Sequence, residues 1–590
     1  MKQFFKFMFA SMLGFFLTSV IIFFILAGIF ASFATLASRD TVKVDKNSVL
    51  HLKLENEIAD RGGRSPFEDF DFLSGRPSQV IGLNEILKNV NKAKEDDNIS
   101  GILLDLSGVQ AGFATIEEIR EALIDFKESD KFIISYGEVY FQNAYYLASV
   151  SDDIYLNPEG AIDFSGMNAQ LFFIKNMLEK LGIEPQIIRY GEYKSAGEPL
   201  FLDEMSPENR EQTLAFIGSI WNNVLKGISE SRSLSLNHLN YVADNLLTRT
   251  AEKSLENGMI DGVMYYDEVM DDLRDRLGLE KGDDISFVNY SQYKKAPLPE
   301  SVRPEATRDK IAVVYGTGNI ISGDAGERFI ASDRIARTIR KARLDESVKA
   351  IVFRINSGGG SALASDVILR EVKLAAEEKP VVATFGDVAA SGGYYIACAA
   401  DYIIANPNTI TGSIGVFGVI PNMQEFFNEK LGITFDNVKT NELADFASLH
   451  RPLTPVEKEI IQESIDEVYY TFIGHVAEGR NLTKETVDEI GRGRVWSGVD
   501  AKRIGLIDDF GGLEYAIDKA AELAEIEKYR VVEYPERKDF FVQLMEDFGG
   551  VQDRWLQRRM GDKYKYLEML QDAEHMTGIQ ARIPYEITLH

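Results

Sequence analysis

Two residues of this chain invite a chemical reading, and an internal repeat singles them out. The stretch GEVYFQNAYYLASVSDDIYLNP (137–158) lies over GDVAASGGYYIACAADYIIANP (386–407) without a gap, with nine aligned positions identical. The second copy has Ser391 where the first has Gln142. Further on, LGIEPQIIRYGEYKSAG (181–197) and LGITFDNVKTNELADFA (431–447) align on their LGI starts, and there the first copy has Lys194 against Ala444. One half keeps a candidate nucleophile and the other a candidate base. Ser391 follows an apolar strand and a small-residue turn and opens a helix beginning GGYYIACAA, so its hydroxyl sits at the helix's positive end. The N–H of the next residue can face a developing oxyanion. A plain helix N-cap is the bland alternative. A lysine with an ordinary pKa of about 10.4 cannot accept a proton near neutrality. Burial can bring it to about 7–8, where a general base works. Surface lysines vastly outnumber such bases, and only the reciprocal losses lift Lys194 above them. The pattern predicts a duplicated domain with an active site split between the halves.

A second element is RINSGGG (354–360), directly after the strand AIVFRI. A glycine run at a strand end leaves N–H groups free for an anion or a peptide carbonyl. The corresponding turn of the first half reads LSGVQAG, without the cluster. No lysine follows in P-loop spacing and no GxGxxG opens a helix, so a nucleotide site is excluded. The six histidines fit no metal spacing such as HExxH. Ser391 is not in a GxSxG elbow. A triad assembled in space stays open, but Ser-Lys is the more economical pairing.

The elements that must hold these residues follow from length and pattern. At 590 residues the chain should contain at least two domains. Its net charge of -28 argues against a phosphate-backbone partner such as nucleic acid. Cys398 is the single cysteine, so no intrachain disulfide or cysteine metal cluster is available. Its surroundings, YYIACAAD, read as a buried helix and a core role. At the start, Lys2 and Lys6 precede the uncharged run 7–38, longer than the roughly 20 residues that span a bilayer and than a signal-peptide core. A retained anchor with its N-terminus inside is expected. SVLHLKLENEI (48–58) and DKIAVVYGTGNII (309–321) each open a half as a strand. Between them the proline-bearing YKKAPLPESVRPEATRD (293–309) reads as a linker. Each half then alternates strand and helix, which predicts α/β architecture with largely parallel pairing. Both halves end in helical regions, roughly 204–280 and 454–525. In the tail, DRWLQRRMGDKYKYLEML looks like an amphipathic helix.

Together these residues resemble the long form of the signal peptide peptidase A family, serine peptidase family S49. The resemblance rests on the anchor, the tandem repeats, RINSGGG, GDVAASGGYYIACAAD, TGSIG (411–415) and GEYKSAGEP. It implies tandem ClpP/crotonase-like domains behind a transmembrane helix. The units would be the cytoplasmic N-terminus and anchor 1–38, a repeat over 39–292 supplying Lys194, the linker 293–309, a repeat over 310–535 supplying Ser391, and a helical tail 536–590. It implies that Lys194 activates Ser391 and that the Gly359 and Gly392 amides form the oxyanion hole. The family turn reads Ser-Pro-Gly-Gly, and here Gly358 stands in the proline's place, which removes no donor. TGSIGVFG (411–418), with Gly412, Ser413, Ile414 and Gly415, is expected to line the substrate groove. The resemblance further implies homotetramers on the bacterial inner membrane, held to lipid by residues 7–38 with the catalytic domains on the periplasmic side. Their substrates would be hydrophobic signal-peptide remnants, with no metal, nucleotide or other cofactor. Two other readings stay open: a crotonase-type enzyme acting on an acyl thioester, and a non-catalytic membrane scaffold.

Overall fold

The computed structural model describes residues 2–36, 42–62, 70–71, 76–77, 80–299, 301, 307–326, 328–536 and 578–583. The apolar start forms one helix, Lys2–Leu36, long and apolar enough over Lys6–Phe24 to cross a membrane, a test that a signal sequence also passes.

The first half is built on a six-stranded sheet in the order 262–263, 153–156, 132–137, 99–105, 48–53, 287–289. Every pairing is parallel. Strands such as Ile99–Asp105 are near-continuous apolar runs, as a sheet covered on both faces demands. Leu83–Glu95 and Phe113–Lys127 pack on one face with the long helix Pro207–Arg232. Tyr266–Leu277 covers the other, placing Val269 and Leu273 on Val49, Leu103 and Ile134.

The second half repeats this plan around the strands Lys310–Thr317, Val348–Ser357 and Val381–Ala390, again in parallel. Ala362–Ala376 and Pro455–Arg480 pack on one face. Leu513–Leu523 covers the other, against Ile311, Val313 and Val352. The helix after Ser391 is shorter than its sequence suggested. It spans only Gly392–Tyr395, because buried turns take over before Cys398. Cys398 is wholly buried, its thiol pushed up to about 12 by that burial. This fits the core role.

A third sheet joins the halves beside Ser391. Its order is 329–331, 319–321, 359–361, 578–582, 417–422, 184–189. Glu184–Arg189 of the first half runs antiparallel to Phe417–Asn422 of the second. A buried ion cluster adds to the join. Arg354 lies 2.7 Å from both Asp60 and Glu118 of the first half. The amphipathic run in the tail, residues 39–41 and linker residues 300 and 302–306 lie outside the described residues. The described part of the tail is not helical: Gly578–Arg582 is a strand.

Candidate active site

Ser391 sits where the strand Val381–Ala390 turns into the short helix Gly392–Tyr395. Its backbone has φ 55° and ψ -116°. A positive φ is rare for a residue with a Cβ and costs on the order of 1–3 kcal/mol. The surrounding hydrogen bonds hold it: the Ser391 N–H donates to the Gly412 carbonyl at 2.8 Å, and its carbonyl accepts from Tyr395 N–H at 2.8 Å. The turn is therefore imposed by strand 410–412 on one side and the helix on the other.

Lys194 approaches from the first half. It follows the strand Glu184–Arg189, so the join between halves is also what carries the lysine across. Its Nζ lies 2.8 Å from Ser391 Oγ, 3.1 Å from Ser413 Oγ and 3.2 Å from the Ser413 carbonyl. Lys194, Ser391 and Ser413 are all fully buried. Burial holds the Lys194 amine well below the ordinary lysine range, and no other cause contributes. A neutral amine fits these contacts. Its two N–H groups can donate to the Ser413 oxygens while its lone pair accepts the Ser391 hydroxyl.

The loop that carries Lys194 is fixed from several sides. Arg189 donates to the Lys194 carbonyl at 2.9 Å and reaches buried Glu198 at 3.4 Å. Gln212 donates to the Tyr193 carbonyl and to Ser195 Oγ, and accepts the Val495 N–H at 3.0 Å. Gly493, at φ +84°, touches the lysine backbone: a Cβ there would lie 2.6 Å from Lys194 Cα. Gln212, Glu198 and Gly493 escaped the sequence reading. Glu198 lies within GEYKSAGEP with nothing in the sequence to mark its role, whereas Gln212 and Gly493 bear no motif and only the fold brings them to the lysine.

The glycine turn lies on the other side of Ser391. Gly359 has φ +100°, and its N–H donates to Ser357 Oγ at 3.1 Å. A Cβ on Gly359 would lie 2.7 Å from Gly392 N, so the two amides expected to act together are adjacent. Of the segment expected to line the groove, Gly412 and Ser413 contact Ser391 and Lys194 directly. The Gly415 carbonyl is 3.5 Å from Ser391 Oγ. Ile414 is buried in the core of the second half. At the end of the segment Phe417 and Gly418 pair with Gln580 and Ile579. In the first half the counterpart of Ser391 is filled: Gln142 Oε1 accepts the N–H groups of Ser165 and Gly166.

Comparison with known proteins identifies the family of the chain. The model of "Peptidase family S49" matches residues 125–280 and 373–527, once in each half. Among curated relatives, "Protease 4" of Salmonella typhi is 37% identical over 485 residues, covering 80% of this chain and 77% of its own. "Protease 4" of Haemophilus influenzae is 35% identical, over 88% of this chain and 84% of its own. "Serine protease SPPA, chloroplastic" of Arabidopsis thaliana is 35% identical, over 82% and 70%. Among solved structures, ClpP1 of Listeria monocytogenes matches 35% of this chain and 94% of its own at 17% identity and a TM-score of 0.24. The class is thus that of the serine peptidases. Within it, the chain belongs to peptidase family S49, with one family domain in each half.

Proposed function

We propose that this chain is a membrane-anchored endopeptidase working through a Ser391–Lys194 dyad, and that it degrades signal peptides after their release from preproteins. The observation that carries the dyad is the 2.8 Å contact between Lys194 Nζ and Ser391 Oγ inside a fully buried site. Neutral Lys194 takes the Ser391 proton as Oγ attacks the peptide carbonyl. The Gly359 and Gly392 amides receive the oxyanion, Gly359 exchanging its Ser357 partner for it. Lys194 then protonates the leaving amine and activates the water that hydrolyses the acyl-enzyme. Of the segment expected to line the groove, Gly412, Ser413 and Gly415 border the Ser391 side chain and backbone and Ser413 orients the amine, while Ile414 supports them from the core.

The choice of substrate draws on the apolar helix Lys2–Leu36. An enzyme so anchored meets lipid-embedded peptides at high local concentration. We place it in the bacterial inner membrane with both halves on the periplasmic side, as a homotetramer.

The test uses the detergent-solubilised full chain. Ser391→Ala and Lys194→Ala are each expected to abolish cleavage of a hydrophobic signal peptide while the fold, read by circular dichroism, persists. A fluorophosphonate is expected to label Ser391 alone. Normal turnover by Lys194→Ala rules out the dyad. Absence of labelling together with acyl-thioester turnover would favour the crotonase-type reading.

A further inference from the structure

One side chain touches both the loop that carries Lys194 and the strand that braces Ser391. Gln212 lies on the long helix Pro207–Arg232 of the first half and is fully buried. Its Nε2 donates to the Tyr193 carbonyl at 3.1 Å and to Ser195 Oγ at 3.0 Å, so it grips the residues on either side of Lys194. Its Oε1 accepts the Val495 N–H at 3.0 Å. Val495 opens the strand Val495–Ser497 and pairs antiparallel with Gly412. The Gly412 carbonyl in turn accepts the Ser391 N–H at 2.8 Å, and the Ser413 N–H donates to the Arg494 carbonyl at 2.7 Å. A single amide therefore links the two partners of the dyad. Its nitrogen side holds the lysine loop, and its oxygen side holds the strand pair that fixes the serine turn.

The internal repeat sets Gln212 apart from an ordinary buried amide. Its helix and Pro455–Arg480 of the second half are both 26 residues long, and both begin with proline and end with arginine. Aligned on those ends, Ile460 stands opposite Gln212. A buried amide is costly unless it is paired, and the twin helix does without one. The half that lost the lysine thus also lacks the glutamine. Gly493 shows the same dependence from the other side. Laying GMID (258–261) over GLID (505–508) places Leu246 opposite Gly493. Both positions have a positive φ, but only at Gly493 does the turn meet the Lys194 backbone, and only there is the residue a glycine.

We infer that Gln212 is a positioning residue for the dyad, setting the reach of Lys194 Nζ to Ser391 Oγ. The inference rests on the reading of those two residues as the working pair. The side chains of Arg189 and Glu198 bind residues of the first half, so they shape the lysine loop without referring it to the serine. A misplacement of about 1 Å costs a reaction on the order of a hundredfold. Slack in the loop would also admit water to the amine, which burial alone keeps from its ordinary protonation. The charged side chains around the loop pair with one another: Arg189 with Glu198 at 3.4 Å, Arg494 with Glu211 at 3.0 Å and Arg492 with Asp488 at 2.8 Å.

The test compares the detergent-solubilised full chain with two variants. Gln212→Met keeps the length of the side chain and removes these hydrogen bonds. Gln212→Glu keeps the acceptor for the Val495 N–H. Turnover of a hydrophobic signal peptide is followed from pH 6 to 10. Sites are counted by the end point of fluorophosphonate labelling, so that unfolded protein drops out. Gln212→Met is expected to lose about a hundredfold in kcat with KM little changed, and its rate of labelling should fall in step. Its rise of kcat with pH should move towards the ordinary lysine value of about 10.4. Gln212→Glu should lie between that variant and the parent in kcat, with its rise also displaced upward. Parental kcat and labelling rate in Gln212→Met overturn the inference. So does a fall in labelled sites with kcat per site and pH profile unmoved, which is what a residue that only stabilises the fold would give. Lys194→Ala is measured beside them. If it is inactive while Gln212→Met works normally, the dyad stands and the inference alone fails. Normal turnover by Lys194→Ala removes the dyad, and the inference with it.

Discussion

Lys194 folds into its site at a cost that a neutral side chain would avoid. An amine held below its unfolded pKa destabilises the fold wherever the unfolded lysine still binds a proton. The penalty is complete below the folded pKa. It fades as pH rises from that value towards about 10.4, where the unfolded lysine also loses its charge. Lys194→Met should therefore abolish activity yet raise unfolding stability at pH 7. The gain should shrink as urea titrations are repeated towards pH 10. A variant less stable than the parent at neutral pH would mean that the amine is charged and paired in the fold. The same residue predicts that the rate of peptide cleavage rises with pH through an apparent pKa well below 10.4. A flat profile across pH 6–9 would remove the titrating base from that window.

At the scale of elements, the glycine turn and the lysine loop act together only if the two sheets stay docked. Arg354, on the strand just before the turn, is fully buried between Asp60 and Glu118 of the first half. Glu118 also accepts the Leu513 N–H at 2.7 Å. Burial raises the Glu118 carboxyl, and Arg354 works against that rise. Arg354→Met would leave two buried carboxylates without their cation, at a cost of about 3–5 kcal/mol. The Glu118 carboxyl, already raised by burial, would climb further, so stability should fall as pH rises from 5 to 8 and recover in mild acid, as read by thermal unfolding at each pH. A loss independent of pH would point to packing instead of charge. The strands of both halves were legible because each is an apolar run between turn signals, and Ser391 and Lys194 because one repeat lost what the other kept. The roles of Arg354 and Gln212 were not, since a partner 200 or more residues away leaves no local periodicity. The tail strand was illegible for a different reason. GIQAR has no apolar run of its own, and it becomes a strand only by taking both edges of a groove made elsewhere.

For the molecule as a whole, the duplication constrains how copies can meet. Within one chain the halves join where Glu184–Arg189 pairs antiparallel with Phe417–Asn422. The repeat carries that junction to a second pair of segments. The LGI alignment places 434–439 opposite 184–189, and extending the offset of the ungapped match beyond 158 and 407 places 168–173 opposite 417–422. The stretch 434–439 is no sheet strand among the described residues, and Val438 there is wholly exposed beside exposed Phe435, Ile433 and Leu431. A second copy offering 168–173 would meet it as the halves meet each other. Such head-to-tail contacts close into rings when the rotation allows. The junction between chains would bring Gln142 and Ala444 together in place of Ser391 and Lys194, so it would carry no chemistry. Val438→Asp should therefore reduce the assembly in detergent, measured by size-exclusion chromatography with light scattering. Fluorophosphonate labelling should stay at one per chain, because the proposed dyad is made of residues of one chain. An assembly of unchanged mass would show that copies meet elsewhere. A loss of labelling in step with the loss of assembly would show that the site depends on a neighbouring chain.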